Sequence, residues 1–367
     1  MLKVCQICSV LPPGRDAVGE GALKLKFLLK EKGYQCIILT SSNQAKSEDI
    51  YPFFKNWGIL SILKSVKFLR KNKVDMVIFH YPTSYYKRNI FVTFIFMVYG
   101  LFGLKAISFL HEYSNYSLLG KIRILPLILF SKRIITSDHD NFNSIIKIPF
   151  ARNKLDIITV GSNFLNLSFY GKPILPKIMN PQPSKYNLLY FGYIMQGKGL
   201  DILLDAFTES TELKDKFVLH LAGNTPEIPN RETKALLDLI MKFDFLNYHG
   251  FVPTEELSTL FYSIDIVCLP FKNGVTIRRG SFMTSIAFGK PVLTTKSKHP
   301  IDGLKENENV FFINQLSKES LISELISISK FKINELNEIG NKAKSWYMNN
   351  YSDENYIKKI IRVIDSI

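Results

Sequence analysis

Leu269-Pro270-Phe271-Lys272-Asn273-Gly274-Val275-Thr276-Ile277-Arg278-Arg279-Gly280-Ser281, continuing through Phe282-Met283-Thr284-Ser285-Ile286-Ala287-Phe288-Gly289-Lys290-Pro291-Val292, is the stretch on which the reading of this chain turns. The apolar run Ile264–Pro270 leading into it has the make-up of a strand in a parallel sheet covered on both faces. Gly289 is a helix-stop signal, and Lys290-Pro291 hands over to a second apolar strand at Val292-Leu293-Thr294. The order is strand, loop, short helix, strand. In an open α/β sheet this puts the loop at a carboxyl end, where ligands bind. The loop carries two adjacent arginines beside the backbone N–H groups of Gly280-Ser281 at a helix start. Charge and N–H groups together would hold a phosphate or diphosphate.

The same alternation extends in both directions. Toward the N-terminus, strand Lys3–Val10 enters a loop that runs to Gly21. A helix rich in Leu and Lys then stops at Lys32-Gly33 before strand Tyr34–Thr40. An amphipathic helix Ile59–Lys71 precedes strand Val74–Phe79, which ends in His80-Tyr81-Pro82. The apolar run Ile90–Leu104 reads as a helix, and strand Ala106–Leu110 ends in His111-Glu112. A basic, apolar helix near Leu118–Phe130 and strands Arg133–Thr136 and Asp156–Val160 complete the first series. The alternation restarts at strand Asn187–Phe191 and Gly192, followed by helix Leu200–Phe207, strand Phe217–Ala222 and helix 231–242. Thr254 reads as the cap of a further helix, and the tail from about Ser317 is helical.

Between the two series lies Gly171–Pro183, with four prolines and no periodicity, the composition of a linker. The expected organisation is a Rossmann-like domain over 1–170, a linker over 171–185, a second Rossmann-like domain over 186–345 and a C-terminal helix over 346–367, packing back on the first domain. The fold class is α/β, with two doubly wound parallel sheets facing a cleft, and the cleft is the default active site.

At 367 residues each domain can bury a proper core. The N-terminus reads as a strand and not as a cleavable leader. The apolar run 90–104 falls short of the ~20 residues of a membrane span. A cytoplasmic protein is expected, peripheral on the inner face of the plasma membrane. A net charge of +15 points to anionic partners, either an anionic membrane surface, a phosphorylated substrate or nucleic acid. The four cysteines form no framework, and Cys5 and Cys8 lie inside a strand-like run with no second pair to complete a metal or redox site. Asp138-His139-Asp140 follows Thr136-Ser137 and fits a helix cap better than a metal motif, so no metal is expected.

Phe191-Gly192-Tyr193, then Lys198-Gly199-Leu200-Asp201-Ile202-Leu203-Leu204-Asp205-Ala206-Phe207, and Ala287-Phe288-Gly289-Lys290-Pro291-Val292, resemble the GT-B glycosyltransferases. The likeness is strongest to the family-4 retaining glycosyltransferases of bacterial polysaccharide biosynthesis. Gly19-Glu20-Gly21, His111-Glu112 and Val160-Gly161-Ser162-Asn163 support it, and it covers nearly the whole chain. Physically, Lys198 in Gly-x-x-x-x-Gly-Lys-Gly sets a compact cation at a helix start, and Gly199 stands where a P-loop would need Ser or Thr for magnesium. The resemblance implies that Lys198 contacts a donor diphosphate, with Gly19, Gly21, Gly192, Arg278, Arg279, Gly280, Ser281 and Thr284 around the donor. It implies a sugar contact for His111, and catalytic roles for His111, Lys198 and Arg279. Glu20, His80 and Glu112 are candidates on the acceptor side.

Three departures from that family stand out. Tyr193 replaces an arginine usual after the first glycine, and Thr276 and Thr284 occupy the places of two glutamates. Arg278 or Arg279 would supply the missing charge. The implied activity is sugar transfer, of hexosyltransferase type, from a nucleotide sugar (a UDP- or GDP-sugar) to a lipid-linked or polysaccharide acceptor, with retention and without a cofactor. Two alternatives stay open: a non-catalytic partner subunit, and a DNA-modifying glucosyltransferase of the same fold. Nucleic acid is the weaker partner, because no aromatic and basic interleaving marks a groove.

Overall fold

The computed structural model describes residues 2–12, 14, 16–41, 49–82, 89–162, 164, 184–225 and 229–367; the proline-rich stretch 171–183 lies outside them. Two compact units emerge, Met1–Asn163 with Asp353–Ile367, and Phe164–Ser352.

The first unit holds strands β1 (Lys3–Ile7), β2 (Gln35–Thr40), β3 (Ile50–Pro52), β4 (Met76–Tyr81), β5 (Lys105–Leu110), β6 (Arg133–Thr136) and β7 (Leu155–Ile157). They pair in parallel in the order β3-β2-β1-β4-β5-β6-β7. Every residue of β4 is buried, which is what a sheet covered on both faces requires. The second unit holds β8 (Tyr186–Phe191), β9 (Phe217–Ala222), β10 (Leu246–Gly250), β11 (Ile266–Leu269), β12 (Val292–Thr295) and β13 (Phe311–Ile313). Their order is β10-β9-β8-β11-β12-β13, again all parallel. Strand order reverses between β1 and β4 in one sheet and between β8 and β11 in the other. Such a reversal opens a crevice at the strand carboxyl ends. This is the two-sheet α/β architecture of the GT-B fold.

Several local readings need correction. The strand expected to reach Val10 ends at Ile7, and the chain is helical from Ala17, where the Asp16 carboxylate accepts from the Val18 N–H at 2.9 Å. Gly19-Glu20-Gly21 therefore lie in the first turns of the helix Ala17–Glu31 and not in a loop. The apolar run 90–104 divides into a 3-10 turn Phe91–Phe94 and a helix Ile95–Leu101, ended near Gly103 at φ 75°. The helix expected to be capped by Thr254 begins at Thr254, with Pro253 in the cap position. β7 stops at Ile157, short of the expected Val160.

The expected boundary at 345/346 falls inside the helix Ile333–Tyr351; the division lies at Ser352/Asp353. The last helix, Asp353–Asp365, belongs to the first unit. It is tied there by Lys24, 1% exposed, whose ammonium pairs with the Asp353 carboxylate at 2.5 Å and donates to the Ser162 carbonyl at 2.5 Å. A buried ammonium is tolerated only with such partners.

Candidate functional site

In the second unit the predicted donor residues gather at the β8/β11 reversal. β8 ends at Phe191 and is followed by Gly192, whose N–H donates to the Ala222 carbonyl at the end of β9, and Ile194 N–H donates to the Asn224 carbonyl. These bonds bring the turn after β8 against the turn after β9. Gly199, at φ 76°, precedes the helix Leu200–Glu209, and a Cβ there would run into the Pro270 carbonyl oxygen at the end of β11. Only glycine combines that backbone angle with that approach. Lys272 closes the corner, donating its N–H to Gly197 and pairing its ammonium with Asp201 at 2.5 Å.

Two cations meet over one ring. The Lys198 ammonium stands 5.6 Å from the centroid of Phe271, and the Arg279 guanidinium carbon 4.7 Å from the same centroid. Among the described residues no carboxylate pairs with either. Burial, and then the neighbouring Arg279 charge, lower Lys198 from 10.5 to about 8. Burial, followed by Arg278, lowers Arg279 as well, with Tyr190 opposing. The ring holds both charges in place, and each destabilises the other. An anion placed between them would relieve both.

Arg279 is the cap residue of the helix Gly280–Ala287. Gly280 therefore lies at its amino end, and Ser281 faces Gly192, with its Oγ 3.4 Å from where a Gly192 Cβ would stand. Arg278 is exposed, and Thr276 accepts the Arg279 N–H. Thr284 is fully buried in the same helix, so in this conformation it turns no surface toward a ligand. The expected helix stop at Gly289 has φ 73°.

In the first unit, His80, His111 and Glu112 come together at the carboxyl ends of β4 and β5. The Ala22 carbonyl can only accept, so it takes the Gln6 amide N–H at 3.0 Å and turns Gln6 Oε1 toward His80 Nε2 at 2.8 Å. Accordingly His80 carries its proton on Nε2, and its Nδ1 accepts from His111 Nε2 across a long 3.4 Å. Burial, then His111, keep His80 well below the usual histidine range, so it stays neutral. His111 stacks on Phe109 at 4.5 Å, and its carbonyl accepts from Asn141 at 3.1 Å. Glu112 is half-buried and precedes the turn Tyr113–Asn115. Gly19 packs so closely on the Val10 carbonyl that no side chain fits, a structural reason for that glycine, whereas Gly21 has Val160 at 3.9 Å from a would-be Cβ. Glu20 sits in the first helical turn.

Asp138 caps the helix His139–Ile145, accepting the Asn141 N–H at 2.8 Å. Among the described residues no three His, Cys, Asp or Glu side chains gather as a metal site. All four cysteines are buried, and burial pushes the Cys36 thiol up to about 11. Sequence reasoning missed Phe271 and Gln6. The position of Phe271, directly after a strand-ending Pro270, was the available signal.

Residues 185–330 match the family model for glycosyl transferases group 1. The match lies within the second unit. HepE of Anabaena, solved in complex with UDP-glucose, is 14% identical and superposes with a TM-score of 0.77 over 100% of both chains. Sucrose-phosphate synthase of Thermosynechococcus elongatus is 13% identical, with a TM-score of 0.74 over 100% of this chain and 99% of that one. A glycosyltransferase of Rickettsia africae is 15% identical, with a TM-score of 0.68 over 99% and 97%. No curated protein matches the sequence. At these identities the likeness is one of fold. The matched segment contains Lys198, Phe271 and Arg279, so the paired cations lie within the part that the family model describes.

Proposed function

We propose that the protein transfers a sugar from a nucleoside-diphosphate sugar to a lipid-linked or polysaccharide acceptor. The observation that carries this reading is the pair Lys198 and Arg279, two unneutralised cations on Phe271 at a strand-order reversal. A site that pays to hold two charges together is built for an anion, and a diphosphate spans both. HepE, which shares the fold, was solved with UDP-glucose, which favours a UDP-sugar among donors.

Transfer then breaks the bond from the anomeric carbon to the diphosphate oxygen and forms one to the acceptor oxygen. The acceptor proton passes to the departing phosphate, on the same face, so configuration is retained. Lys198 and Arg279 stabilise the charge that develops on the leaving group, work that needs no metal. His111, held by His80 and Gln6 in one tautomer, is the sugar contact, and Glu20 and Glu112 lie on the acceptor side. We place the enzyme in cell-surface polysaccharide biosynthesis, peripheral on the inner membrane face.

One observation favours a second reading, a non-catalytic partner subunit: Thr276 and Thr284 stand where the related enzymes carry glutamates, and Thr284 is buried. Incubation with UDP-glucose and GDP-mannose separates the two. An enzyme releases nucleoside diphosphate, and faster with acceptor lipid present. Binding without any release, in wild type and with membrane lipid added, supports the partner subunit.

A further inference from the structure

More than half of the exposed large apolar side chains among the described residues lie on one face of the first unit, on three segments packed side by side. These are the helix Ile59–Lys71, the stretch Ile90–Phe102 and the helix Leu118–Phe130. Right-handed crossovers from β3 to β4, β4 to β5 and β5 to β6 put all three on the same side of the sheet. Two contacts join them at the strand carboxyl ends. Asn89 donates to the Trp57 carbonyl at 3.3 Å, just ahead of the first helix, and Ile90 shares a groove of ≈ 740 Å³ with Leu119, Ile122 and Arg123. At the other end Arg70 stacks over Phe102 at 5.3 Å.

Leu118 and Leu119 are 75% and 80% exposed, at the start of a helix whose opposite face is anchored by Ile124, Leu127 and Ile128. Isolated exposed leucines are ordinary, but a contiguous run with a groove among them marks a contact surface. Its charge says what kind. Residues 59–71, 89–110 and 117–133 contain no Asp or Glu, while Lys64, Lys67, Arg70 and Lys71 are exposed beside the leucines. A surface that joins projecting aliphatic groups to unopposed lysines matches the acyl–headgroup boundary of an anionic bilayer, where the leucines enter and the lysines meet phosphate. A protein partner would need an acidic, apolar counterpart, whereas a bilayer supplies both features. No helix among the described residues is long and apolar enough to cross a membrane.

We propose that this face docks the protein on an anionic lipid surface, with Leu118, Leu119, Ile122, Ile90, Phe91 and Leu60 inserted and the Lys64–Lys71 row on the headgroups. The proposal rests on the peripheral-membrane part of the reading above and not on the donor site, and the two fail separately. The test is co-sedimentation of the full chain with phosphatidylcholine vesicles, with and without phosphatidylglycerol. Wild type should pellet with the anionic vesicles, and less so as salt rises. The triple variant Leu118→Ser, Leu119→Ser, Ile122→Ser should lose about tenfold or more in partition while melting as wild type does, because the side chains removed are exposed. As a second variant, Lys64→Gln, Lys67→Gln, Lys71→Gln should lose most of the salt dependence. If wild type stays in the supernatant with anionic vesicles at low salt, the peripheral reading and this proposal both fall. If wild type pellets but the triple variant pellets equally, the docking face is elsewhere. A wild-type dimer in the absence of lipid that the triple variant abolishes would give the face to a second copy and overturn the proposal. Nucleotide titration, which reads the second unit, should be unchanged in both variants.

Discussion

Replacing Lys198 by Met should raise the stability of the ligand-free protein and lower its affinity for a nucleoside diphosphate. Methionine keeps an unbranched chain over Phe271 while removing the charge. Holding a lysine at about 8 that would titrate at 10.5 in the open costs about 3 kcal/mol wherever it is charged. The causes are burial and, behind it, Arg279, so the variant also frees Arg279 from part of its repulsion. We expect a gain of about 1–3 kcal/mol at neutral pH, read as a melting rise of about 2–4 °C per kcal/mol for a unit of this size. Loss of a charge-assisted bond to phosphate, worth about 1.5–3 kcal/mol, should weaken binding by about 10- to 150-fold. The pH dependence has a definite sign. Lys198 is depressed in the folded state, so unfolded chains bind the extra proton, and wild-type stability should rise as pH climbs from about 8 toward 10.5. Diphosphate affinity should fall over that window as the ammonium is lost, and Lys198→Met should show neither trend. Differential scanning fluorimetry and calorimetric titration measure both quantities on the same samples. A variant that melts lower than wild type and binds UDP equally well would refute the reasoning.

Gly199→Ala forces a positive-φ backbone and a Cβ against the Pro270 carbonyl, so it should destabilise by about 3 kcal/mol or more, visible as a lower urea midpoint. Asp353→Ala leaves the Lys24 ammonium buried without its carboxylate and should cost about 3–5 kcal/mol, with faster amide exchange in the helix Asp353–Asp365; Lys24→Met, which removes the charge as well, should cost far less. His220, bonded to His249 at 3.1 Å and to Asn187 at 3.2 Å, is lowered by burial and by His249 from 6.5 to about 4. Its stabilising contribution is present above 6.5 and lost as pH falls toward 4, so acid unfolding followed by circular dichroism should be less steep over that range in His220→Asn than in wild type.

Central strands were easy to recognise because burial on both faces makes them short apolar runs, as in Phe217–Ala222 and Arg133–Thr136. The three strands that escaped notice, Ile50–Pro52, Leu246–Gly250 and Phe311–Ile313, are all at sheet edges, where one side needs no apolar residue. The helix Ala17–Glu31 began earlier than its glycines suggested, because the Asp16 cap outweighs two residues of low helix propensity. Lys198 and Arg279 were legible as cations near a phosphate, since strand-end loops in such sheets converge. That they share Phe271 was not legible, because it depends on three-dimensional proximity between segments about seventy residues apart (198 and 271). The order of the buried relay Gln6–His80–His111 follows from which strands are neighbours, β1 beside β4 beside β5, and sequence spacing carries no trace of that.

The central claim is that Lys198 and Arg279 hold a diphosphate. Calorimetric titration of the full chain with UDP, GDP, ADP and dTDP tests it most directly. The account predicts micromolar binding of at least one of the four, UDP first, abolished in the Lys198→Ala, Arg279→Ala double variant. No binding of any of them by folded wild-type protein would contradict it.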